Sequence, residues 1–136
     1  MKTPHLLQVA LDPDAYGDLF RAAAEAGLRI GWLEYSSPVP PPDLGAAARL
    51  GALRAVAVGE EGSLSVKPRR GLPVLRDLLR EHFRGCALVL VRGAVDAPCL
   101  ESEGAGWRLV AGTREPRSLT TEQLVAALRR PSPWGR

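Results

Sequence analysis

The stretch VKPRRGLPVLRDLLREHFRGCALVLVRG, from Val66 to Gly93, decides the fold. It reads as a basic turn, an amphipathic helix and a wholly apolar strand in succession. Val74, Leu75, Leu78, Leu79, His82 and Phe83 recur at helical spacing, with Arg76, Asp77, Arg80 and Glu81 opposite, so Pro73 to Arg84 is expected to form a half-buried helix. Gly85 ends it. The run Ala87 to Val91 is apolar on both faces, the pattern of a strand covered on both sides, or on one side and by a subunit. It is expected at the centre of a sheet.

Upstream, His5 to Leu11 reads as a first strand, and Asp12-Pro13-Asp14 as a helix start with Asp12 as cap and Pro13 in the first turn. The following helix runs through Tyr16, Leu19, Phe20, Ala23 and Ala24 and stops at Gly27. Leu28 to Tyr35 is a second strand, with Ile30 and Trp32 on one face and Leu33 and Tyr35 on the other. Strand, helix and strand with short connectors make a βαβ unit or a split version of one. Residues 36–42 carry four prolines and read as a stiff surface connection, after which Asp43 caps a short alanine-rich helix ending near Leu50. Arg54 to Val58 and Leu64 to Lys67 flank Glu60-Glu61-Gly62, a turn short enough to make an antiparallel hairpin.

Downstream, Pro98 to Ser102 and Trp107 to Val110 flank Glu103-Gly104-Ala105-Gly106, a second hairpin expected at an edge. The last helix has the clearest start: Thr120 and Gln123 form a capping-box pair, and Leu119 and Leu124 occupy the positions of a hydrophobic staple. It runs to Arg130, and Pro131 stops it. Residues 1–130 are thus expected to form a single α/β domain and residues 131–136 a C-terminal tail, with Trp134 either docked on the body or part of a contact surface.

Composition narrows the function classes. The chain of 136 residues, 46% hydrophobic and 24% charged, suits one globular domain. No apolar run approaches the roughly 20 residues of a membrane span, and no signal-peptide pattern opens the chain, so a cytoplasmic protein is expected. The net charge is +3, and the positive residues are arginine except at Lys2 and Lys67. This skew, with many alanines, prolines and glycines, is the mark of a GC-rich genome and also suits a heat-stable protein. No basic block exceeds two residues, so nucleic acid is set aside unless the arginines share one face. Cys86 and Cys99 are too few for a disulfide scaffold and lack zinc-site spacing; both are expected as buried thiols, and no metal is expected.

One candidate site emerges from comparing helix starts. The starts near Pro13, Leu44 and Thr121 each have an Asp or Thr to accept free backbone N–H groups, whereas the one near Pro73 follows Arg70-Gly71-Leu72, which offers none. Lys67, Arg69 and Arg70 flank that end, and Gly71 permits close backbone approach. Together these features predict a phosphate or carboxylate site on Lys67, Arg69, Arg70 and Gly71. The plainer reading is that water, Glu60 or Glu61 satisfies the end.

Enzyme signatures are absent from the motifs. No P-loop is present, and Gly104-x-Gly106 is not followed by the third glycine of a dinucleotide fingerprint. His82 reads as a core or interface histidine rather than a general base, and His5 as the start of a strand. A Cys nucleophile, with Asp96 and Cys99 in one loop and His82 or His5 as base, has no local motif behind it. Glu101, Glu103 and Glu115 read as solvated loop acids.

The fold predicted is α/β, a single domain with a mixed sheet and helices packed on it. A flavodoxin-like arrangement is preferred, with a ferredoxin-like α+β sandwich as the alternative because the hairpins dilute the parallel pattern. The function expected is a binding module for a phosphorylated or carboxylated small molecule, with no cofactor. The alternatives are a non-catalytic assembly subunit, such as a homo-oligomer joined through Trp134, the proline segment or a hairpin edge, and a small enzyme without a recognisable motif.

Overall fold

The structure, a computed structural model, describes residues 3–35, 46–47, 49–66 and 73–134. The chain divides into two compact units: Met1–Tyr35 together with Leu75–Arg136, and Ser36–Val74.

The first unit is built on a six-stranded mixed sheet. Its strands are β1 (His5–Gln8), β2 (Ile30–Glu34), β5 (Leu88–Arg92), β6 (Cys99–Glu103), β7 (Gly106–Val110) and β8 (Arg117–Leu119), in the spatial order β2-β5-β1-β6-β7-β8. β2, β5, β1 and β6 are mutually parallel, while β7 is antiparallel to both β6 and β8. The helices are α1 (Gly17–Glu25), which follows a 3₁₀ turn at Pro13–Tyr16, α2 (Leu75–His82) and α3 (Thr121–Ala127).

β5 is the strand that the all-apolar run specified. Leu88, Val89, Leu90 and Val91 are fully buried, with Leu88 and Leu90 in one core cluster and Val89 and Val91 in another. The larger cluster takes Leu7 from β1, Leu19 and Ala23 from α1, and Leu124 and Val125 from α3. The smaller joins Leu79, Leu75 and Phe83 of the α2 segment to Leu6 and Leu33. Both faces of the sheet are therefore covered by helices, α1 and α3 on one and α2 on the other. β5 is an interior strand, second from the β2 edge; β1 and β6 hold the middle of the sheet.

The two faces follow from connection handedness. β1 reaches β2 by passing over β5, and the chain then turns back to β5, so right-handed crossovers in opposite directions must lie on opposite faces. Ile30 and Trp32 face the α1 side, and Leu33 and Tyr35 the α2 side, as their alternation predicts. Helices on both faces of a parallel core do not fit the ferredoxin-like sandwich, which segregates its helices to one face.

Several local readings are corrected. Val74 and His82 belong to the apolar stripe in the sequence, but Val74 is 60% exposed and the His82 side chain 51% exposed, beside Glu81 at 3.6 Å. Val74 precedes α2 and His82 is its last residue, so both flank the buried Leu78 and Leu79 rather than sharing their packing. The second hairpin is not at an edge: β6 meets β1 through Gln8 and Cys99, and β8 forms the edge beyond β7. The α3 capping box forms as predicted, with Gln123 N donating to Thr120 Oγ1 at 3.0 Å and Thr120 N to Gln123 Oε1 at 2.9 Å. Residues 131–134 fold back on the sheet, where Pro133 is buried and Trp134 Nε1 donates to the Leu6 carbonyl at 3.1 Å.

The described part of the second unit holds helical residues at 46–47 and 49 and an antiparallel hairpin, β3 (Ala55–Gly59) and β4 (Gly62–Val66), closed by Glu60-Glu61. No helix among the described residues is long and apolar enough to cross a membrane.

Candidate functional site

Lys67, Arg69, Arg70 and Gly71, the anion site expected from the sequence, lie outside the described residues. One of the comparisons behind that expectation changes. Asp12 stands at the start of the 3₁₀ turn but makes no side-chain cap bond; its carboxylate accepts from Arg92 Nη1 at 2.8 Å instead. A guanidinium at the end of β5 offers a charge-assisted bond stronger than a cap to a neutral N–H.

That bond belongs to a network across the carboxyl ends of the parallel strands, where α/β sheets ordinarily place ligands. Arg92 Nε donates to Glu34 Oε2 at 3.0 Å, its Nη2 donates to Glu34 Oε1, and its Nη1 also reaches the Leu11 carbonyl at 3.3 Å. The guanidinium lies 5.5 Å from the centre of the Trp32 ring, whose Nε1 donates to Glu34 Oε1 at 2.9 Å. Arg92 holds the Glu34 carboxyl below the usual carboxylate range. Beside it, Gln8 fastens the loop that carries β5 to β6, donating to the Ala97 carbonyl at 2.5 Å and accepting from Val95 N at 3.4 Å. Each of these side chains satisfies another, and the arrangement joins strand ends rather than presenting charge to a ligand.

The opposite rim, where the parallel strands begin, is different. A cleft of about 630 Å³ opens among the starts of β1, β2 and β5 and the end of α3. His5 and Cys86 line it, together with Arg29, Arg129 and Arg130, and among the described residues no carboxylate does. Backbone bonds between the strand starts and two side-chain contacts bring these residues together. Ala87 N donates to the Arg29 carbonyl at 2.8 Å and His5 N to the Ala87 carbonyl at 2.9 Å, so the three strands start side by side. Arg129 Nη2 bonds the Ala26 carbonyl at 2.6 Å, tying the ends of α1 and α3. His5 Nε2 lies 3.2 Å from the Leu128 carbonyl, at the α3 C-terminus.

Thiol chemistry is disfavoured here. Burial pushes the Cys86 thiol above its ordinary range, with Arg29 only partly opposing this, so the nucleophilic thiolate is suppressed. Cys86 is half-buried, packed beside Phe83 and Gly31, whereas Cys99 is exposed, contrary to the expectation of a buried thiol. Cys99 starts β6 and pairs on both sides, with Gln8 and Val110; its neighbour Leu100 turns into the larger core cluster, so Cys99 turns to the opposite face. His82 closes α2 at the strand-start rim and Cys99 lies at the level of the β1 carboxyl end, so the fold does not pair them. Both thiols are free.

Two of the remaining acids, Glu101 and Glu103, have structural partners. Glu101 faces Arg108 directly across β6 and β7 at 3.8 Å, and Glu103 accepts from Ser118 Oγ at 2.5 Å. Among the described residues, no three His, Cys, Asp or Glu side chains gather to hold a metal ion.

No family model, curated protein or solved structure matches the chain. Its site is therefore read from its own geometry. Sequence reasoning missed Arg29, Arg129 and Arg130, because Arg29 is separated from the other two by a hundred residues and joins them only through sheet topology.

Proposed function

We propose that the protein is a non-catalytic binding module for a phosphorylated or carboxylated small molecule, held in the cleft at the strand-start rim. The observation that carries this is the set of three arginines, Arg29, Arg129 and Arg130, that line one cleft with no carboxylate among the described residues around it. Arginine presents a planar fork of donors matched to phosphate and carboxylate oxygens. A cleft of this size suits a drug-sized ligand. The basic turn of Lys67, Arg69, Arg70 and Gly71 is a second location for the same chemistry. A cytoplasmic setting fits the two free thiols.

The fold reading behind this is a doubly wound core, flavodoxin-like in its layers: parallel strands in the middle and helices on both faces. In flavodoxin-like sheets the first two strands are adjacent, whereas here β5 lies between them, so the likeness is in layering and not in strand order.

The test is a thermal-shift series with inorganic phosphate, nucleotides, coenzyme A and small carboxylates. A ligand at a hundred times its Kd adds about 2.7 kcal/mol of stability. A saturable shift lost in Arg29→Ala/Arg130→Ala and kept in Lys67→Ala/Arg70→Ala supports the cleft. The reverse pattern moves the site to the basic turn, and no shift with any probe overturns the reading.

A further inference from the structure

The cleft does not end at Arg29. Thr3 lines both it and a second cleft of about 440 Å³, walled by Arg76, Arg80 and Arg84 with Leu79 and Phe83 beneath. Arg76 and Arg80 are one helical step of four residues apart, a rise of about 6 Å on one face of α2. Arg84 follows at the same interval just past the helix, where its Nε donates to the Arg80 carbonyl at 3.0 Å. Among the described residues no carboxylate lines this second cleft either, Asp77 and Glu81 of α2 included. Six arginines thus line two clefts that share Thr3, and among the described residues none of the six forms an ion pair with a carboxylate.

We propose that this arginine-bordered rim binds the phosphate backbone of a nucleic-acid duplex. Such a charge array exceeds what one small anion neutralises, and arginine forks suit a row of phosphates. Two observations select the duplex. All seven aromatic side chains of the protein are buried or half-buried, so the rim offers no stacking platform of the kind that single strands use. The exposed large apolar side chains among the described residues are Leu11, at the opposite rim, Val74, just ahead of α2, and members of the 50–64 segment. Among the described residues the rim therefore has no exposed large apolar side chain to insert into a lipid surface, which argues against an anionic membrane. The sequence alone gave no shared basic face; β5 entering between β2 and β1 creates it.

This inference shares Arg29, Arg129 and Arg130 with the proposed small-molecule site but also needs Arg76 and Arg80, so the two fail separately. The experiment is fluorescence anisotropy with a labelled 20-base-pair DNA duplex, titrated with the full chain between 50 and 200 mM salt. With five to six phosphate contacts, log K is expected to fall with log salt at a slope of about −5. Arg76→Glu/Arg80→Glu is expected to weaken binding at least tenfold while leaving any small-anion thermal shift in place. Arg76→Ala/Arg80→Ala, which removes charge without reversing it, is expected to lower the slope by about 2. Absence of binding at 50 mM salt overturns the proposal. So does binding that neither variant weakens, or binding to phosphatidylserine vesicles without binding to the duplex.

Discussion

Arg92 and Glu34 sit directly opposite each other on β5 and β2, and two of the guanidinium nitrogens grip the two carboxylate oxygens. The pair joins neighbouring strands at their carboxyl ends, and Asp12 extends it to the turn that follows β1. A forked pair with an aromatic ring beneath fixes both side chains more firmly than a surface ion pair between two flexible groups.

Removing Arg92 leaves two carboxylates without their shared partner. Arg92→Ala is expected to destabilise the fold, but modestly because the side chain is 34% exposed. The pH dependence has a definite sign. Glu34 titrates lower in the folded state, first because of its bond from Arg92, so its contribution is fully present above the ordinary glutamate pKa of about 4.3 and is lost as pH falls through the lower folded value. Urea titrations from pH 6 to pH 3 are expected to show this loss in the native protein and a shallower decline in Glu34→Gln. Parallel curves for the two proteins would refute it.

Gly31 makes room for Phe83. A Cβ built on Gly31 would stand 2.5 Å from Phe83 Cδ1 and 2.8 Å from Cε1, closer than real contacts allow, and 3.3 Å from Cys86 Sγ. The absence of a side chain in the middle of β2 is what lets the segment after α2 close on the sheet. Gly31→Ala is therefore expected to cost about 1–3 kcal/mol by overpacking. In the double variant Gly31→Ala/Phe83→Leu, the smaller side chain should recover part of that loss, seen as a coupling energy in a double-mutant cycle. Additive costs would show that the ring is not the obstacle.

These two relationships mark how far local sequence carries. The strands, helices and α3 capping box were legible because periodicity and end signals are local: the alternation of Ile30, Trp32, Leu33 and Tyr35 assigned both faces of β2 before any partner was known. β8 was not legible, since Arg117-Ser118-Leu119 is a strand only because β7 pairs with it, Trp107 opposite Leu119. Asp12 carried a sound cap signal that a distant guanidinium outcompeted. The basic rim was invisible for the same reason. Each arginine on it looks like an ordinary surface residue in its own segment, and only the order β2-β5-β1 brings the segments together.

The two thiols should react at well-separated rates. Cys99 is exposed, while Cys86 is half-buried and held in its protonated form by burial. Because the thiolate is the reactive species, labelling with a disulfide reagent at pH 8 is expected to give one fast and one slow phase. Cys99→Ser should remove the fast phase and Cys86→Ser the slow one. A single fast phase for both would mean that the α2 face opens readily in the native state.

Trp134 tests whether the C-terminal segment serves the fold or a partner. Its indole donates to Leu6 of β1, its ring meets His5 edge-on at 6.2 Å between centres, and it packs against the larger core cluster. These contacts are within one chain, so Trp134→Ala is expected to lower stability by about 1–3 kcal/mol through lost packing and one unmade hydrogen bond. The loss should be the same at low and high protein concentration, because an intrachain contact does not depend on mass action. Chemical denaturation at two concentrations a hundredfold apart makes the distinction. A loss that grows with protein concentration would mean that the tryptophan also holds two chains together, and would favour an assembly role over a binding module acting alone.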